Sequence, residues 1–326
     1  MRMLISPSIR AARSRGTDHS EEDVKGGNDP RAQRSLTGMR PLHLAVLQFA
    51  PILRDLAGNS RHIARNAPRG ECDLVVTPEL SLTGYDVRED APRLALRLVD
   101  DEPLPFAAAD ALSELDAPLL LGLLERSEST TAPFNTAALL HRGLLRFRHR
   151  KLYLPTYGMF DEGRYFARGS ELAPVNLPGG WLGGVLVCED FWHPGLVYVL
   201  AAAGIHVLIV MAAAPGRGVV EGGEAGGAFR SADAWERIAR TMAQLFGVYV
   251  VLANRTGVEG AITFAGGSLI VEPAGEIVAR GDPFNETVLL TRLEPDALAA
   301  ARQPYSHAQD DDPRLVIRAL ERLLRP

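Results

Sequence analysis

The chain has 326 residues, of which 46% are hydrophobic and 23% are charged, a composition typical of one large folded domain. Its formal net charge of −5 provides no basic surface for nucleic acid and favours a small-molecule substrate as the partner. No apolar stretch approaches the roughly 20 residues that a membrane-spanning helix needs. The two cysteines, Cys72 and Cys188, lack the spacing of a disulfide framework or a zinc site. We therefore expect reduced thiols, no bound metal and a cytoplasmic location.

Periodicity along the chain predicts alternating strands and helices. Residues 1–38 contain few large apolar side chains, so we expect a disordered extension before a domain of residues 39–300 and a C-terminal tail, residues 301–326, with a helix. Strand patterns occur at residues 43–49, 73–76, 118–124, 182–187, 206–211 and 248–253. Helical patterns occur at residues 59–66, 104–115, 196–203 and 229–246, and hairpins are predicted at residues 135–153 and 266–280. This alternation is typical of a layered α/β fold.

Cys188 stands where the apolar run of residues 182–187 ends. In an open α/β sheet the carboxyl ends of the strands carry the site, and Pro194 is well placed to begin the next helix. A cysteine in such a turn meets backbone N–H groups that lower its pKa and can bind an oxyanion, which makes Cys188 a candidate nucleophile. The alternative is a small apolar core residue beside solvated acids.

Two charged residues occupy comparable positions. Glu79 lies just past the strand at residues 73–76, although an acid there can also be a solvated or capping carboxylate. Lys151 lies near the end of the second arm of the hairpin at residues 135–153, in a basic cluster that an exposed sheet edge would also explain. The segment after it, residues 154–166, is too rich in aromatic residues for a solvent-exposed loop without a function. Long loops inside compact domains are usually functional.

Four motifs together resemble the nitrilase, or carbon–nitrogen hydrolase, superfamily. They are TPEL with Glu79, RKLYLP with Lys151, FDEGRYF with Glu162 and VCEDFWHPG with Cys188. The resemblance spans about residues 42–293. It implies a four-layer αββα sandwich, a homodimer or higher homo-oligomer, and no metal or organic cofactor. It also implies a Glu–Lys–Cys triad of Glu79, Lys151 and Cys188, with Glu162 in support.

Within the superfamily, the sequence is most similar to the glutaminase domain of glutamine-dependent NAD synthetase. This likeness implies substrate contacts from Tyr85, Tyr157 and Glu189, and Trp192, four residues after Cys188, is a further candidate for substrate binding. There is one departure: the chain has Ala-Ala-Ala-Pro at residues 212–215, where such domains usually have Ser-Ala-Ser-Pro. The hydroxyl groups that would help to hold an amino-acid head group are therefore missing.

These features predict a thiol-dependent hydrolase of a small linear amide or carbamoyl compound. In this prediction Cys188 attacks the carbonyl carbon, Glu79 moves protons and Lys151 stabilises the oxyanion. Three alternatives remain: a glutaminase that supplies ammonia to a separate NAD synthetase, a nitrilase, and a catalytically inactive binding or regulatory protein. The last is disfavoured because an inactive relative has no chemical reason to keep all four catalytic positions.

Overall fold

The computed structural model describes residues 36–70, 72–105, 109–128, 130–220, 228–303 and 310–325. These residues form two six-stranded sheets and two short strand pairs. The first sheet contains, in spatial order, β16 (Thr287–Leu293), β1 (Leu42–Gln48), β2 (Leu74–Val76), β3 (Leu119–Glu125), β4 (Phe134–His141) and β5 (Leu144–Arg150). The second contains β15 (Ile277–Arg280), β14 (Leu269–Val271), β11 (Tyr249–Asn254), β8 (Val207–Ala212), β7 (Leu182–Val187) and β6 (Val175–Asn176). The short pairs are β9 (Val219–Val220) with β10 (Ala228–Phe229) and β12 (Val258–Glu259) with β13 (Ile262–Thr263).

Helices cover the outer face of each sheet. Those on the first sheet are α1 (Leu56–Asn66) and α3 (Ala109–Ser113), which share an apolar cluster with β3. Those on the second sheet are α5 (Pro194–Ala202) and α6 (Arg230–Phe246), whose apolar side chains join the cluster that contains β8 and β11. The remaining α-helices of the described chain are α2 (Ala91–Leu94), α4 (Glu162–Tyr165), α7 (Pro295–Arg302) and α8 (Pro313–Leu324).

The inner faces of the two sheets share one apolar core. Leu44 and Val46 of β1 belong to the same buried cluster as Val187 of β7 and Ile209 of β8. Since each sheet has helices on its other face, both faces of its central strands are buried, which explains a run as apolar as VLIVMA in β8. The layer order is helix, sheet, sheet, helix, so the predicted αββα sandwich is confirmed.

Parallel strands lie at the centre of each sheet. In the first sheet β1, β2 and β3 run parallel, and in the second β7, β8 and β11 do so. The outer strands of both sheets pair antiparallel. The carboxyl ends of parallel strands share one edge of a sheet, so the residues that follow β2, β7, β8 and β11 are candidates for a common site.

One predicted helix differs from the structure. The pattern at residues 104–115 indicated a helix throughout, but Leu104 is not helical and the described helix α3 covers only Ala109–Ser113. Leu104 precedes Pro105, and the residue before a proline is disfavoured in the helical conformation. Pro103 instead forms an isolated antiparallel bridge with Leu144. The prediction for residues 106–108 lies outside the described residues.

The predicted extension and tail are described only in part. Residues 1–35 lie outside the described residues, while Leu36 and Met39 pack against the apolar core. At the other end, the tail of residues 301–326 includes α8. In the described part of the chain, every helix is too short or too polar to cross a membrane.

Candidate active site

Four side chains from the turns that follow strands form one buried cluster. Glu79 follows β2, Lys151 directly follows β5, and Glu162 begins α4 in the loop after β5. Cys188 directly follows β7 on the opposite sheet. At most 7% of the surface of any of them is exposed, so the cluster is largely closed to bulk water. Glu79, Lys151 and Glu162 each interact electrostatically with the Cys188 thiol, so the structure brings together all four residues that the motifs predicted.

Lys151 is at the centre of this cluster. Its Nζ donates hydrogen bonds to Glu79 Oε1 at 2.7 Å and to Glu162 Oε1 at 2.8 Å. Burial alone would lower the pKa of Lys151, but Glu162 and Glu79 raise it well above its usual value, so the ammonium is charged at neutral pH. Burial raises the pKa of Glu162 to about 7, against the opposing effect of Lys151. The Lys151 ammonium therefore lies between two carboxylates. Together, the ammonium and the two carboxylates can hold one additional proton near neutral pH.

Both carboxylate oxygens of Glu79 are held in place. Besides Lys151, Oε1 accepts a hydrogen bond from Asn135 Nδ2 at 2.7 Å, and Oε2 accepts one from the N–H of Ala213 at 2.9 Å. Asn135 was not among the residues that the sequence pointed to. The sequence feature that could have pointed to Asn135 is its polarity near the start of β4, a strand whose sequence is otherwise largely apolar.

The turn that carries Glu79 needs close backbone packing. Leu80 has a left-handed φ of +48°. Gly122 of β3 makes room for this turn, because a Cβ there would lie 2.3 Å from the carbonyl oxygen of Pro78 and 2.6 Å from Leu80 N. Cys188 also has a left-handed backbone, with φ at +47°. Left-handed non-glycine residues cost of order 1–3 kcal/mol and persist where the surrounding structure holds them, often at functional sites.

The predicted pKa shift of Cys188 is wrong. Burial raises the pKa of this thiol well above its usual value, and Glu79 adds to the rise. Lys151 and the N–H of Ala213 act in the opposite direction without reversing the shift. A cysteine in a strand-end turn meets helpful N–H groups, but here desolvation of the thiolate outweighs them. The resting group is a protonated thiol, which needs a base to become a nucleophile.

Asp190 braces the two turns that present Cys188 and Lys151. Its side chain is fully buried. It contacts four groups, namely the N–H groups of Leu152 and Tyr153, each at 2.9 Å, the N–H of Val187 at 3.1 Å and Nε2 of His149 at 3.0 Å. Motif order did not reveal this role, although an acid two residues after the candidate nucleophile was visible in the sequence.

The four residues expected to contact substrate fall in two places. Tyr85 adjoins the buried cluster, and its hydroxyl donates to Glu162 Oε1 at 2.6 Å. Tyr157 and Glu189 lie together nearer the surface, with the Tyr157 hydroxyl donating to Glu189 Oε2 at 2.8 Å. Trp192 is 42% exposed and packs edge-on against Trp235, with ring centroids 5.4 Å apart.

Arg217 is a cation close to Tyr157 that the sequence did not point to. Its guanidinium lies 5.6 Å from the ring centroid of Phe160, and a Cβ added at Gly158 would lie 3.3 Å from Nη2. Within the described chain no carboxylate forms an ion pair with it. Glu189 and Arg217 both lie close to Tyr157, so this region presents both a carboxylate and a guanidinium, groups that can bind a polar substrate. The described residues contain no group of three or more His, Cys, Asp or Glu side chains placed to bind a metal ion.

Comparison with known proteins identifies the family. A family model for carbon–nitrogen hydrolases matches residues 43–303. The chain belongs to the carbon–nitrogen hydrolase family. The match includes both six-stranded sheets almost completely and all four residues of the buried cluster. The superfamily resemblance of the four motifs is therefore confirmed, and the protein is a carbon–nitrogen hydrolase enzyme.

Individual relatives of this carbon–nitrogen hydrolase fall into several groups. The glutamine-dependent NAD(+) synthetase of Thermotoga maritima is 29% identical over 285 residues, which are 83% of this chain and 46% of the synthetase. The chain thus spans about half the length of the synthetases it matches. N-carbamoylputrescine amidase of Arabidopsis thaliana is 29% identical over 197 residues, which are 58% of this chain and 64% of the amidase. The structure of a carbon–nitrogen hydrolase from Helicobacter pylori G27 has the same fold, with a TM-score of 0.71 and 24% identity over 88% of this chain and 99% of that protein.

Proposed function

We propose that this enzyme hydrolyses small linear amides or carbamoyl compounds through a thioester at Cys188. The observation that carries the proposal is the position of Lys151 Nζ, which lies between Glu79 and Glu162 in the same buried cluster as Cys188. A cysteine amidase requires a nucleophile, a proton carrier and a positive charge where the oxyanion forms. Cys188, Glu79 and Lys151 are of the right chemical types for these three roles.

In the first half of the reaction, Cys188 Sγ attacks the carbonyl carbon of the amide as Glu79 takes the thiol proton. Because the pKa of Cys188 is raised by burial, this proton transfer has to accompany attack. The carbonyl oxygen becomes an oxyanion, which Lys151 and the backbone N–H that follows Cys188 stabilise. Glu79 then donates its proton to the leaving nitrogen, the C–N bond breaks, and ammonia or an amine departs from the thioester.

In the second half, water replaces the amine. Glu79 removes a proton from water, whose oxygen attacks the thioester carbon to form a second tetrahedral oxyanion beside Lys151. The C–S bond then breaks, the carboxylic acid leaves, and the proton on Glu79 returns to the sulfur. Glu162 takes no proton in this scheme, and its hydrogen bond to Lys151 orients the ammonium.

A substrate screen coupled to mass spectrometry tests the proposal. Ammonia release is measured with glutamine, short aliphatic amides, N-carbamoyl compounds and nitriles. With the best amide, rapid acid quenching of the wild-type enzyme should trap an adduct whose added mass is that of the acyl group, carried on the peptide that contains Cys188. Cys188→Ala should show neither adduct nor ammonia, while Cys72→Ala should show both. Ammonia release by Cys188→Ala at the wild-type rate would rule out the thioester.

A glutaminase is the second candidate, because the sequence similarity to glutamine-dependent NAD synthetases extends over 83% of the chain. In that case the ammonia would go to a separate synthetase. The kcat/KM for glutamine would exceed that for all other amides in the screen, and adding an NAD synthetase would raise it further. Simple amides turned over faster than glutamine, with no response to a synthetase, would argue against this candidate.

We also propose a homodimer or higher homo-oligomer. Helix α8 exposes several large apolar side chains, namely Leu315, Ile317, Leu320, Leu323 and Leu324, and Val199 on α5 is 50% exposed. Such a concentration of exposed apolar side chains is typical of an interaction surface. Light scattering on the purified full-length protein would give the mass in solution, and a monomer at micromolar concentration would contradict this part of the proposal.

A further inference from the structure

A second buried ion pair lies close to the catalytic cluster. Arg255 directly follows β11 and Glu259 lies in β12, and Nη1 of the arginine is 2.8 Å from Oε2 of the glutamate. The two side chains are 1% and 4% exposed. For a pair so deeply buried, the desolvation cost offsets much of the Coulomb attraction, so stability alone is a weak reason for its presence. A role in arranging neighbouring groups is a stronger one.

Glu259 holds the backbone of the loop that carries Tyr85. Its Oε1 accepts hydrogen bonds from the N–H of Tyr85 at 2.9 Å and from the N–H of Asp86 at 2.5 Å. Gly84 allows this close approach. Its φ is +78°, and a Cβ there would lie 2.8 Å from Glu259 Oε2 and 2.9 Å from the Cα of Leu53. The loop is therefore shaped around the Glu259 carboxylate.

Phe264 connects the same ion pair to the ring of Tyr85. The Arg255 guanidinium lies over the Phe264 ring, 3.9 Å from its centroid. The Tyr85 ring packs edge-on against Phe264, with centroids 5.8 Å apart and an interplanar angle of 71°. The Arg255–Glu259 pair consequently constrains Tyr85 at two places, its backbone N–H and its aromatic ring.

Tyr85 in turn reaches the catalytic cluster. Its hydroxyl donates to Glu162 Oε1 at 2.6 Å, and the same oxygen accepts a hydrogen bond from Lys151 Nζ at 2.8 Å. We propose that Arg255 and Glu259 are positioning residues, which fix Tyr85 so that its hydroxyl holds Glu162, and through it Lys151, in the orientation that stabilises the oxyanion. This inference rests on the proposed role of Lys151.

A double-mutant cycle on kcat tests the proposal. Tyr85→Phe removes the hydroxyl but keeps the ring and the backbone hydrogen bonds, and we expect kcat to fall about tenfold with KM nearly unchanged, since a hydrogen bond to a charged group is lost. Glu259→Gln should lower kcat in the same way. Because Glu259 acts through the Tyr85 hydroxyl, the double variant should be no slower than the slower single variant.

The acid limb of the kcat–pH profile provides a second readout that a merely structural role would not change. The charged and titratable groups that act on Glu162 are Lys151, Glu79, Tyr85 and Cys188. The Tyr85 hydroxyl donates to the ionised carboxylate, so its loss or displacement should raise the pKa of Glu162. Tyr85→Phe and Glu259→Gln should therefore both move the acid limb to higher pH.

Asp73→Asn is a matched control. Asp73 also pairs with an arginine, with Oδ1 2.6 Å from Arg40 Nη2, and also accepts a backbone N–H, from His43 at 2.9 Å. It directly precedes β2, whereas Glu79 lies beyond the other end of that strand. This variant should lower the melting temperature while kcat and the acid limb stay unchanged.

Two results would overturn the proposal. In the first, the kcat of the double variant falls by the product of the factors measured for Tyr85→Phe and Glu259→Gln alone. In the second, Glu259→Gln lowers the melting temperature but leaves kcat and the pH profile at their wild-type values. If Glu259→Gln does not fold, Arg255→Lys takes its place in the cycle, with the same expectations. The Cys188→Ala variant separates failure of this inference from failure of the proposed function. If the proposed function were wrong, Cys188→Ala would still turn over substrate. If only this inference were wrong, Cys188→Ala would be inactive.

Discussion

Asp190 Oδ2 lies 3.0 Å from His149 Nε2, and this contact joins the two sheets of the sandwich. His149 belongs to β5 on the first sheet, two residues before Lys151, and Asp190 follows β7 on the second, two residues after Cys188. Both side chains are at most 1% exposed. The distance between the candidate nucleophile and the candidate oxyanion donor therefore depends on a buried contact that takes no part in the chemistry.

Replacement of Asp190 should damage both folding and activity. Asp190→Ala leaves three backbone N–H groups and His149 without their acceptor, so we expect the free energy of unfolding to fall by about 2–5 kcal/mol and activity to be lost. Urea unfolding followed by circular dichroism measures the change. Asp233→Ala is the control, because Asp233 pairs with Arg237 on the exposed face of α6, and it should change stability by less than about 1 kcal/mol. Similar losses in the two variants would contradict the bracing role.

The two cysteines should differ sharply in function. Cys188→Ala should lower ammonia release by at least about 10³-fold, because it removes the sulfur that forms the proposed covalent intermediate. Cys72→Ala should remain active, since the Sγ of Cys72 donates to the backbone carbonyl groups of His43 in β1 and Leu74 in β2, away from the catalytic cluster. With Glu79 as the base that ionises the thiol, iodoacetamide should inactivate the wild type, and peptide mapping should locate the label at Cys188. Inactivation with the label at Cys72 would reverse this assignment.

Among the basic residues of β5 and its end, Lys151 should matter most for turnover. Lys151→Ala removes an oxyanion donor, and loss of one such donor typically lowers kcat about 100- to 1000-fold. Arg146→Ala is the matched control, since among the described residues Arg146 forms an ion pair with exposed Asp101 alone. Arg148 and Arg150 are less suitable because both pair with the buried carboxylate of Glu125. Equal losses of kcat in Lys151→Ala and Arg146→Ala would show that Lys151 has no special role.

Glu162 should make stability depend on pH. Its pKa is raised from 4.5 to about 7 in the folded state, so between these values the folded protein holds a proton that the unfolded chain has released. The free energy of unfolding should therefore fall as pH rises through this window, by about 1–3 kcal/mol. Glu162→Gln should flatten this dependence, measured by urea unfolding from pH 4.5 to 7.5. Glu128→Gln, at a side chain that is 83% exposed, should keep the wild-type slope, and a wild-type slope in Glu162→Gln would contradict the raised pKa.

Glutamine should be a poor substrate compared with simple ω-amides. Ala212 and Ala214 stand where the resemblance leads one to expect serines, and an amino-acid head group left partly unpaired loses binding energy in the transition state. Ala214→Ser, alone and with Ala212→Ser, should raise kcat/KM for glutamine about fivefold, the value of one neutral hydrogen bond. Steady-state kinetics with glutamine and a simple ω-amide measure the ratio. A wild-type kcat/KM for glutamine far above that for every other amide would contradict the prediction.

Local sequence patterns predicted most of the strands and helices, and the resemblance of four motifs to the nitrilase superfamily pointed to the four cluster residues. Apolar runs ending at Val76 and Val187 predicted strands, and the residues that follow them, Glu79 and Cys188, had to appear at sheet edges. Such patterns are visible because strand periodicity and turn residues act over a few neighbouring positions. The order of the four motifs then indicated the family, which the family match confirms.

Only the tertiary structure decided how the cluster is held and charged. Hydrogen bonds join Asn135, Asp190 and Glu259 to partners that are 56, 38 and 174 residues away in sequence, respectively. Short-range sequence patterns do not reveal such long-range pairings. The pKa of Cys188 shows the same limit. Its turn favoured a lowered value, but burial raised it, because desolvation depends on everything that packs around a group rather than on its neighbours in sequence.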